Sequence, residues 1–233
     1  LILAGSGASD SMSEKMVIAI DGPAASGKSS TAKRVAKMLG YRHVDSGSLY
    51  RAATASVLRV HQDDSWTEAD VVKAASIVSL KAAEGGFVPL LEGLESDDEL
   101  RGSAVTGNVS RVAQMQAVRD WVNEQVRAAG REFDVVVDGR DIGTVVFPDA
   151  KLKIFLVADP WERARRRLVQ QSGKIPTDDE IADETERIVH RDAQDATQTV
   201  QAKDAVLIDT THLTQDEQIQ RIVALAHAAE RDS

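Results

Sequence analysis

The chain has 233 residues, 42% of them hydrophobic, with no cysteine and a formal net charge of -9. That length suits one large domain, or a core with small insertions, that buries most of its apolar surface. The lack of cysteine excludes disulfides and thiolate zinc sites and agrees with a reducing compartment, so a cytoplasmic setting is expected. The acidic balance argues against a broad nucleic-acid surface, which must be basic to displace counterions, and no apolar run approaches the length of a membrane span. Small-molecule partners are therefore expected, with neither nucleic acid nor membrane.

Leu1 to Leu3 is too short for a signal-peptide core, lacks a basic flank and runs into Gly5-Ser6-Gly7-Ala8-Ser9. Residues 1 to 14 are expected to be a disordered extension or an expression scar, with the fold starting near Met16 and continuing as one domain to residue 233.

The first strand candidate is the apolar run Val17-Ile18-Ala19-Ile20, ending in Asp21. It leads into Gly22-Pro23-Ala24-Ala25-Ser26-Gly27-Lys28-Ser29-Ser30 and then a helical pattern over 27–39. A polyphosphate brings several negative charges into a small volume, and backbone N–H groups at a helix N-terminus answer them without ordering any side chain. Gly22 and Gly27 permit the tight turn, Lys28 is placed to reach the β- and γ-phosphates, and the Ser29 hydroxyl can ligate Mg2+. An ordinary helix that happens to open on Gly-Lys-Ser is the alternative. The strand before and the helix after are the context that the phosphate-binding motif requires.

His43-Val44 reads as a second short strand, leading into Asp45-Ser46-Gly47-Ser48-Leu49-Tyr50-Arg51 and a helix over 48–61. Ser46 and Tyr50 offer hydroxyls and Arg51 a charged fork suited to phosphate. Taken alone, the segment is better explained by an N-capping serine with an exposed arginine, and only the loop at Gly22 turns the reading toward a ligand. A helix follows at 67–77, and residues 78–93 read as two strands joined at Glu84-Gly85-Gly86, a small inserted subdomain within an unusually long crossover. Residues 104–129 read as a helix broken in two.

The run Val135-Val136-Val137 ends in Asp138-Gly139-Arg140-Asp141-Ile142-Gly143-Thr144. A buried strand that ends in two acids, an arginine and two glycines faces a polar ligand or closes on an internal ion pair, since unpaired charge near a core is costly. Asp138 is a candidate to hold magnesium from behind its direct ligands, Arg140 a phosphate ligand, and Asp141 a carboxylate able to accept from an amino group such as cytosine N4. The run Ile154-Phe155-Leu156-Val157 then precedes a helix over 160–171 capped by Asp159-Pro160-Trp161-Glu162. On that helix Arg163, Arg166 and Arg167 share one face, either turned to a triphosphate or simply solvated. Residues 170–177 then form a candidate lid tip. A helix over 178–194 carries Arg191 and Asp195 at its end, four residues apart, which a plain surface pair explains nearly as well as a ligand. A last strand, Ala205-Val206-Leu207-Ile208, and a helix over 214–230 close the chain.

Continuous rather than alternating hydrophobicity implies strands covered on both faces, and alternation with helices implies parallel crossovers. The expectation is an α/β fold with a doubly wound five-stranded parallel sheet, ligands collecting beyond the carboxyl ends of the strands.

These segments together resemble the bacterial cytidylate kinase family over about residues 16–228, above all at Ile20–Ser29, Asp45–Arg51 and Asp138–Pro148. The resemblance implies a P-loop NTPase fold of the nucleoside monophosphate kinase type, with a monophosphate-binding insertion at about 60–130 and a lid at about 163–190. It implies ATP as donor on Gly22 to Ser30, Mg2+ on Ser29 and Asp138, and catalytic charge from Lys28, Arg140, Arg163, Arg166 and Arg167. Around CMP it places Ser46, Tyr50, Arg51, Ser110, Arg119, Arg140 and Asp141, with Arg191 and Asp195 near the ribose. The implied reaction is Mg2+-dependent phosphoryl transfer from ATP to CMP or dCMP, in pyrimidine nucleotide metabolism, by a cytoplasmic monomer.

One stretch departs from the pattern. After Asp195 the family usually has an arginine three positions on and then Ser-Pro-Leu, whereas this chain reads Gln198-Thr199-Val200-Gln201-Ala202. Residues missing from the chain are the expected cause, the loss of a base-contacting arginine the alternative. Two other readings compete. A regulatory GTPase would carry an Asn-Lys-x-Asp run and an Asp-x-x-Gly switch, and neither is present. A kinase acting on AMP, UMP or shikimate shares fold and loop, and only Asp141 and the insertion favour cytosine.

Overall fold

The computed structural model describes residues 15–61, 63 and 65–231, so the extension read at residues 1 to 14 lies outside the described residues. In chain order the elements begin with β1 (Val17–Asp21), α1 (Lys28–Leu39), β2 (Arg42–Asp45), α2 (Ser46–Val60) and α3 (Glu68–Ala75). Next come β3 (Val78–Ala83), β4 (Gly86–Leu91), β5 (Leu94–Glu95), α4 (Asp97–Arg101), α5 (Ser103–Ala113) and α6 (Gln116–Glu132). The chain continues with β6 (Val135–Gly139), a π-helical turn at Ile142–Val146, β7 (Leu152–Val157), α7 (Pro160–Ser172), α8 (Asp178–Asp195), β8 (Val206–Asp209) and α9 (Gln215–Arg231). Among the described residues two compact units result: Tyr41–Val135 with residues 15–16, and Val17–Gly40 with residues 136–231.

In the second of these units β6, β1, β7 and β8 lie side by side in that order. β1 and β7 run parallel, from Ile18 opposite Leu152 to Asp21 opposite Phe155, and β7 and β8 run parallel from Ile154 opposite Val206 to Val157 opposite Asp209. Every residue of β1 and β6 is buried, as unbroken apolar runs covered on both faces demand. β8 departs from that expectation: at the end of the row, Val206 and Leu207 stay exposed. α1 and α9 pack together, and Gln218 Nε2 donates to Thr31 Oγ1 at 2.9 Å between them.

α7 starts where the sequence placed it, with Pro160 in the first turn and the Asp159 carboxylate accepting from Trp161 N and Glu162 N. It stops at Gly173, whose positive φ of 67° lets its N–H close on Val169 O. α8 opens on a reciprocal box in which Thr177 caps Glu180 N and the Glu180 carboxylate returns to Thr177 N. α7 and α8 form a hairpin around Ala164, Ile181 and Ile188.

In the other unit the hairpin expected at Glu84-Gly85-Gly86 forms as β3 and β4, antiparallel from Val78 opposite Leu91 to Ala83 opposite Gly86, with β5 added antiparallel to β4. β4 also pairs parallel with β2, His43 opposite Gly86. Gly86 permits that approach, since a Cβ there would lie 2.6 Å from His43 O. The strands of this unit are therefore mixed, not purely parallel. The expected break in the long helix falls at Gln114-Met115. α4 and β5, at five and two residues, are too short for periodicity to reveal. Beneath these helices Trp66 is fully buried, with the Arg111 guanidinium 3.8 Å above its ring and donating to Trp66 O. Among the described residues no helix is long and apolar enough to cross a membrane.

Candidate active site

The phosphate loop is shaped by three residues with positive φ: Gly22 at 149°, Ala25 at 55° and Gly27 at 87°. At Gly22 no other residue fits, because a Cβ would lie 2.1 Å from the carbonyl oxygen of Leu156 on the neighbouring strand. Gly27 caps α1, and its carbonyl receives Thr31 N at 3.0 Å, so the first amides of the helix open onto the loop. That is an anion cradle made of backbone. Lys28 folds over it, Nζ donating to Pro23 O at 2.6 Å and Ser26 Oγ at 3.3 Å. Burial pushes the Lys28 ammonium well below the usual lysine range, and the Arg140 charge adds to the push. Phosphate charge in the cradle would oppose both. Ser30, exposed on α1, turns its hydroxyl to Gly27 O.

Ser29 Oγ donates to Asp138 Oδ2 at 2.5 Å, which joins the start of α1 to the end of β6. Both ligands are oxygens, suited to a hard cation. Among the described residues no group of three or more His, Cys, Asp or Glu could hold a metal by itself. A site with one hydroxyl and one carboxylate fits Mg2+, which keeps several waters and takes its other ligands from substrate phosphates.

Arg140 leaves the end of β6 and is held from two sides, Nε on Asp195 Oδ2 at 3.2 Å and NH1 on Gly22 O at 3.3 Å. Arg191 Nε lies 3.8 Å from the same Asp195 oxygen, so the pair read at 191 and 195 meets Arg140 at the phosphate loop. Asp195 is buried, unlike a simple surface acid. Asp141, also buried, starts the π-helical turn, its carbonyl accepting Val145 N at 2.8 Å. The turn is secured by Asp21, whose two carboxylate oxygens accept the amides of Ile142 at 2.8 Å and Gly143 at 2.7 Å. Burial raises the Asp21 pKa to about 6, against those two amide bonds.

The arginines of α7 all meet acids or carbonyls. Arg163, 4% exposed, donates to Ala158 O, Ala24 O and Asp192. Arg166 donates to Glu162 and to Thr210 O and Thr211 O, tying α7 to the segment after β8. Arg167 lies 3.0 Å from Glu184 on α8. The carboxylates at 162, 184 and 192 give this basic face its partners, neither bare solvent nor a ligand alone.

In the Tyr41–Val135 unit the cap of α2 is Asp45, accepting Ser48 N at 3.1 Å, and not a serine. Ser46 is buried in the first turn and Tyr50 is half-buried one turn on. Arg51 is half-buried too, with NH1 on Leu100 O at 2.9 Å and Thr106 Oγ1 at 3.0 Å, so the arginine is not the exposed one of the plainer reading. Ser110 on α5 is half-buried, as is Arg119 on α6, which donates to Ala113 O at 3.4 Å. α2 packs on both of those helices.

The model of the family described as cytidylate kinase matches residues 18–228. The chain belongs to the cytidylate kinase family. Among curated relatives, proteins named cytidylate kinase from Chloroherpeton thalassium and Chlorobaculum tepidum are each 39% identical, over 92% and 91% of this chain and 94% and 93% of their own lengths. One from Desulforamulus reducens is 41% identical over 91% of this chain and 97% of its own.

In this member of the cytidylate kinase family the residue three positions after Asp195 is Gln198. The N–H groups of Gln198 and Thr199 close on Asp195 O at 3.0 and 2.9 Å and end α8, leaving a half-buried amide where the family usually has a guanidinium. Sequence reading also passed over Asp21, which holds the turn after Asp141, Asp192, which binds Ala24 and Arg163, and Glu184, which pairs with Arg167. Asp21, directly before Gly22, had the strongest signal, an acid ending an entirely apolar strand.

Proposed function

We propose that the protein is an ATP:CMP phosphotransferase, moving the γ-phosphoryl group of ATP to CMP or dCMP with Mg2+ in the cytoplasm. The observation that carries this reading is the meeting of Lys28, the Ser29–Asp138 pair and Arg140 at the backbone cradle after β1. Membership of the cytidylate kinase family supports the acceptor.

The attacking atom is an acceptor phosphate oxygen that is already anionic at neutral pH, so no general base is needed. What must be overcome is repulsion between two polyanions. Arg140 carries a permanent positive charge and Lys28 one that bound phosphate would favour, the carboxylate-bound Arg166 and Arg167 hold theirs in place beforehand, and Arg163 acts through the loop backbone it grips, so little reorganisation accompanies transfer. Ser29 and Asp138 would hold Mg2+, whose chemistry when bound is to neutralise phosphate charge. On the acceptor, Ser46, Tyr50, Arg51, Ser110, Arg119, Arg140 and Asp141 are assigned to CMP, Asp141 taking the exocyclic amino group, and Arg191 and Asp195 to its ribose. The α7–α8 hairpin serves as the lid that keeps water from accepting the phosphoryl group.

The test is ADP release from ATP across CMP, dCMP, UMP, AMP and shikimate. Turnover with CMP or dCMP well above the other three is expected. Turnover with AMP or shikimate alone would overturn the acceptor and leave the kinase standing, and no release with any of the five would overturn both.

A further inference from the structure

The phosphate loop is gripped from outside at two consecutive residues by the α7–α8 hairpin. At Ala24 the grip is polar. Its N–H donates to Asp192 Oδ1 at 3.0 Å, its C=O accepts from Arg163 NH1 at 2.8 Å, and Arg163 NH1 donates to Asp192 Oδ2 at 2.6 Å, which closes a ring. At Ala25 the grip is apolar: its side chain packs on the hairpin core of Ala164, Ile181 and Ile188, with Leu168 beside it. Ala25 is also the one non-glycine residue of the loop with positive φ, a conformation an L side chain adopts only when its surroundings impose it.

These contacts differ from those expected of a ligand site. The Ala24 N–H points at α8 and is already committed to a carboxylate. Arg163 is buried, with its guanidinium on two carbonyls and that same carboxylate. A fork held this way fixes geometry and is not available to follow a moving phosphoryl group. Asp192 sits on a helix that presents no other carboxylate to the loop backbone among the bonds of the described residues.

We propose that Asp192 is a positioning residue which, with Arg163, clamps the Ala24-Ala25 stretch to the α7–α8 hairpin and so holds the phosphate cradle in its binding shape. The clamp couples the seating of the hairpin to the affinity of the loop for phosphate. That last step rests on the assignment of ATP to this loop; the shape-holding itself does not.

Asp192→Asn keeps an acceptor for the Ala24 N–H but opposes an amide N–H to Arg163, and Asp192→Ala removes both contacts. In hydrogen exchange without nucleotide, the amides of residues 24–27 are expected to exchange tenfold faster or more in both variants, with those of β7 changed less than twofold. In steady-state assays the KM for ATP is expected to rise tenfold or more while that for CMP stays within twofold. Glu184→Gln, which breaks the neighbouring pair with Arg167 on the same hairpin, is expected to leave loop exchange within twofold of wild type. Unchanged loop exchange in both Asp192 variants overturns the clamp, as does acceleration spread equally to β7, or the same loop effect from Glu184→Gln. Faster loop exchange with an unaltered ATP KM keeps the clamp and overturns its coupling to ATP.

Discussion

Ser29 Oγ and Asp138 Oδ2 stand 2.5 Å apart, a hydroxyl from the first turn of α1 against a carboxylate from the end of β6. The carboxylate orients the hydroxyl, and under the proposed function the two oxygens would be the protein's share of a Mg2+ site. Asp138→Asn keeps the size and removes the charge. The Mg2+ concentration for half-maximal turnover is expected to rise about tenfold or more, with kcat lower by roughly 100-fold, as when one preorganised charge contact is lost. A magnesium titration of the initial rate at saturating ATP and CMP checks this.

Lys28→Ala removes the ammonium that covers the loop. A drop in kcat of about two orders of magnitude or more is expected, with far-ultraviolet circular dichroism unchanged. Near-normal turnover in a folded variant would refute the role given to Lys28.

Gly22→Ala tests the loop's geometry and not its charge. The added methyl would stand 2.1 Å from Leu156 O, on a backbone at φ 149°. The carbonyl belongs to a central strand and cannot yield without disturbing the ladder, so a loss of about 3 kcal/mol or more in unfolding free energy is expected. Urea denaturation measures it, and a loss under 1 kcal/mol would contradict the packing described.

Asp21 makes stability depend on pH in a definite direction. Its pKa is raised to about 6, so between roughly pH 4 and 6 the native state keeps a proton that the unfolded chain has lost. Stability from this group is complete below about pH 4 and is lost as pH rises through 6, a difference of about 3 kcal/mol. Asp21→Asn removes the titration. The unfolding free energy of wild type relative to that variant is expected to fall by this amount from pH 4 to pH 7, and an equal offset at both pH values would count against it.

Asp141→Ala deletes the acceptor assigned to the cytosine amino group. A buried hydrogen bond to a charged partner accounts for about 1.5–3 kcal/mol, so kcat/KM for CMP is expected to fall roughly ten- to 100-fold. UMP, which has no amino group at that position, should lose much less. Equal losses on both nucleotides would show that Asp141 acts only through the π-helical turn it begins.

The local order of this chain is written in its local pattern. The apolar run before Gly22, the Asp159-Pro160 cap and the Gly85 turn each depend on neighbours within a few residues, and each lies where the pattern puts it, while the pattern over 104–129 showed that the helix is broken but not where. The short α4 and β5 escaped because five helical and two strand residues hold too few repeats of the 3.6- and 2-residue periods to show a pattern.

What only the tertiary structure decided is the partnership of charges. Arg163, Arg166 and Arg167 are legible as a basic face, but nothing at those positions says that Asp192, Thr210 and Glu184 complete them, 17 to 44 residues away. The same holds for Asp21, whose two amide donors lie more than 120 residues on. Spacing along a chain encodes helices, strands and turns because their hydrogen bonds are local. Which buried charge meets which carbonyl or carboxylate is set by the packing of distant elements, where an unpaired group would be too costly to leave.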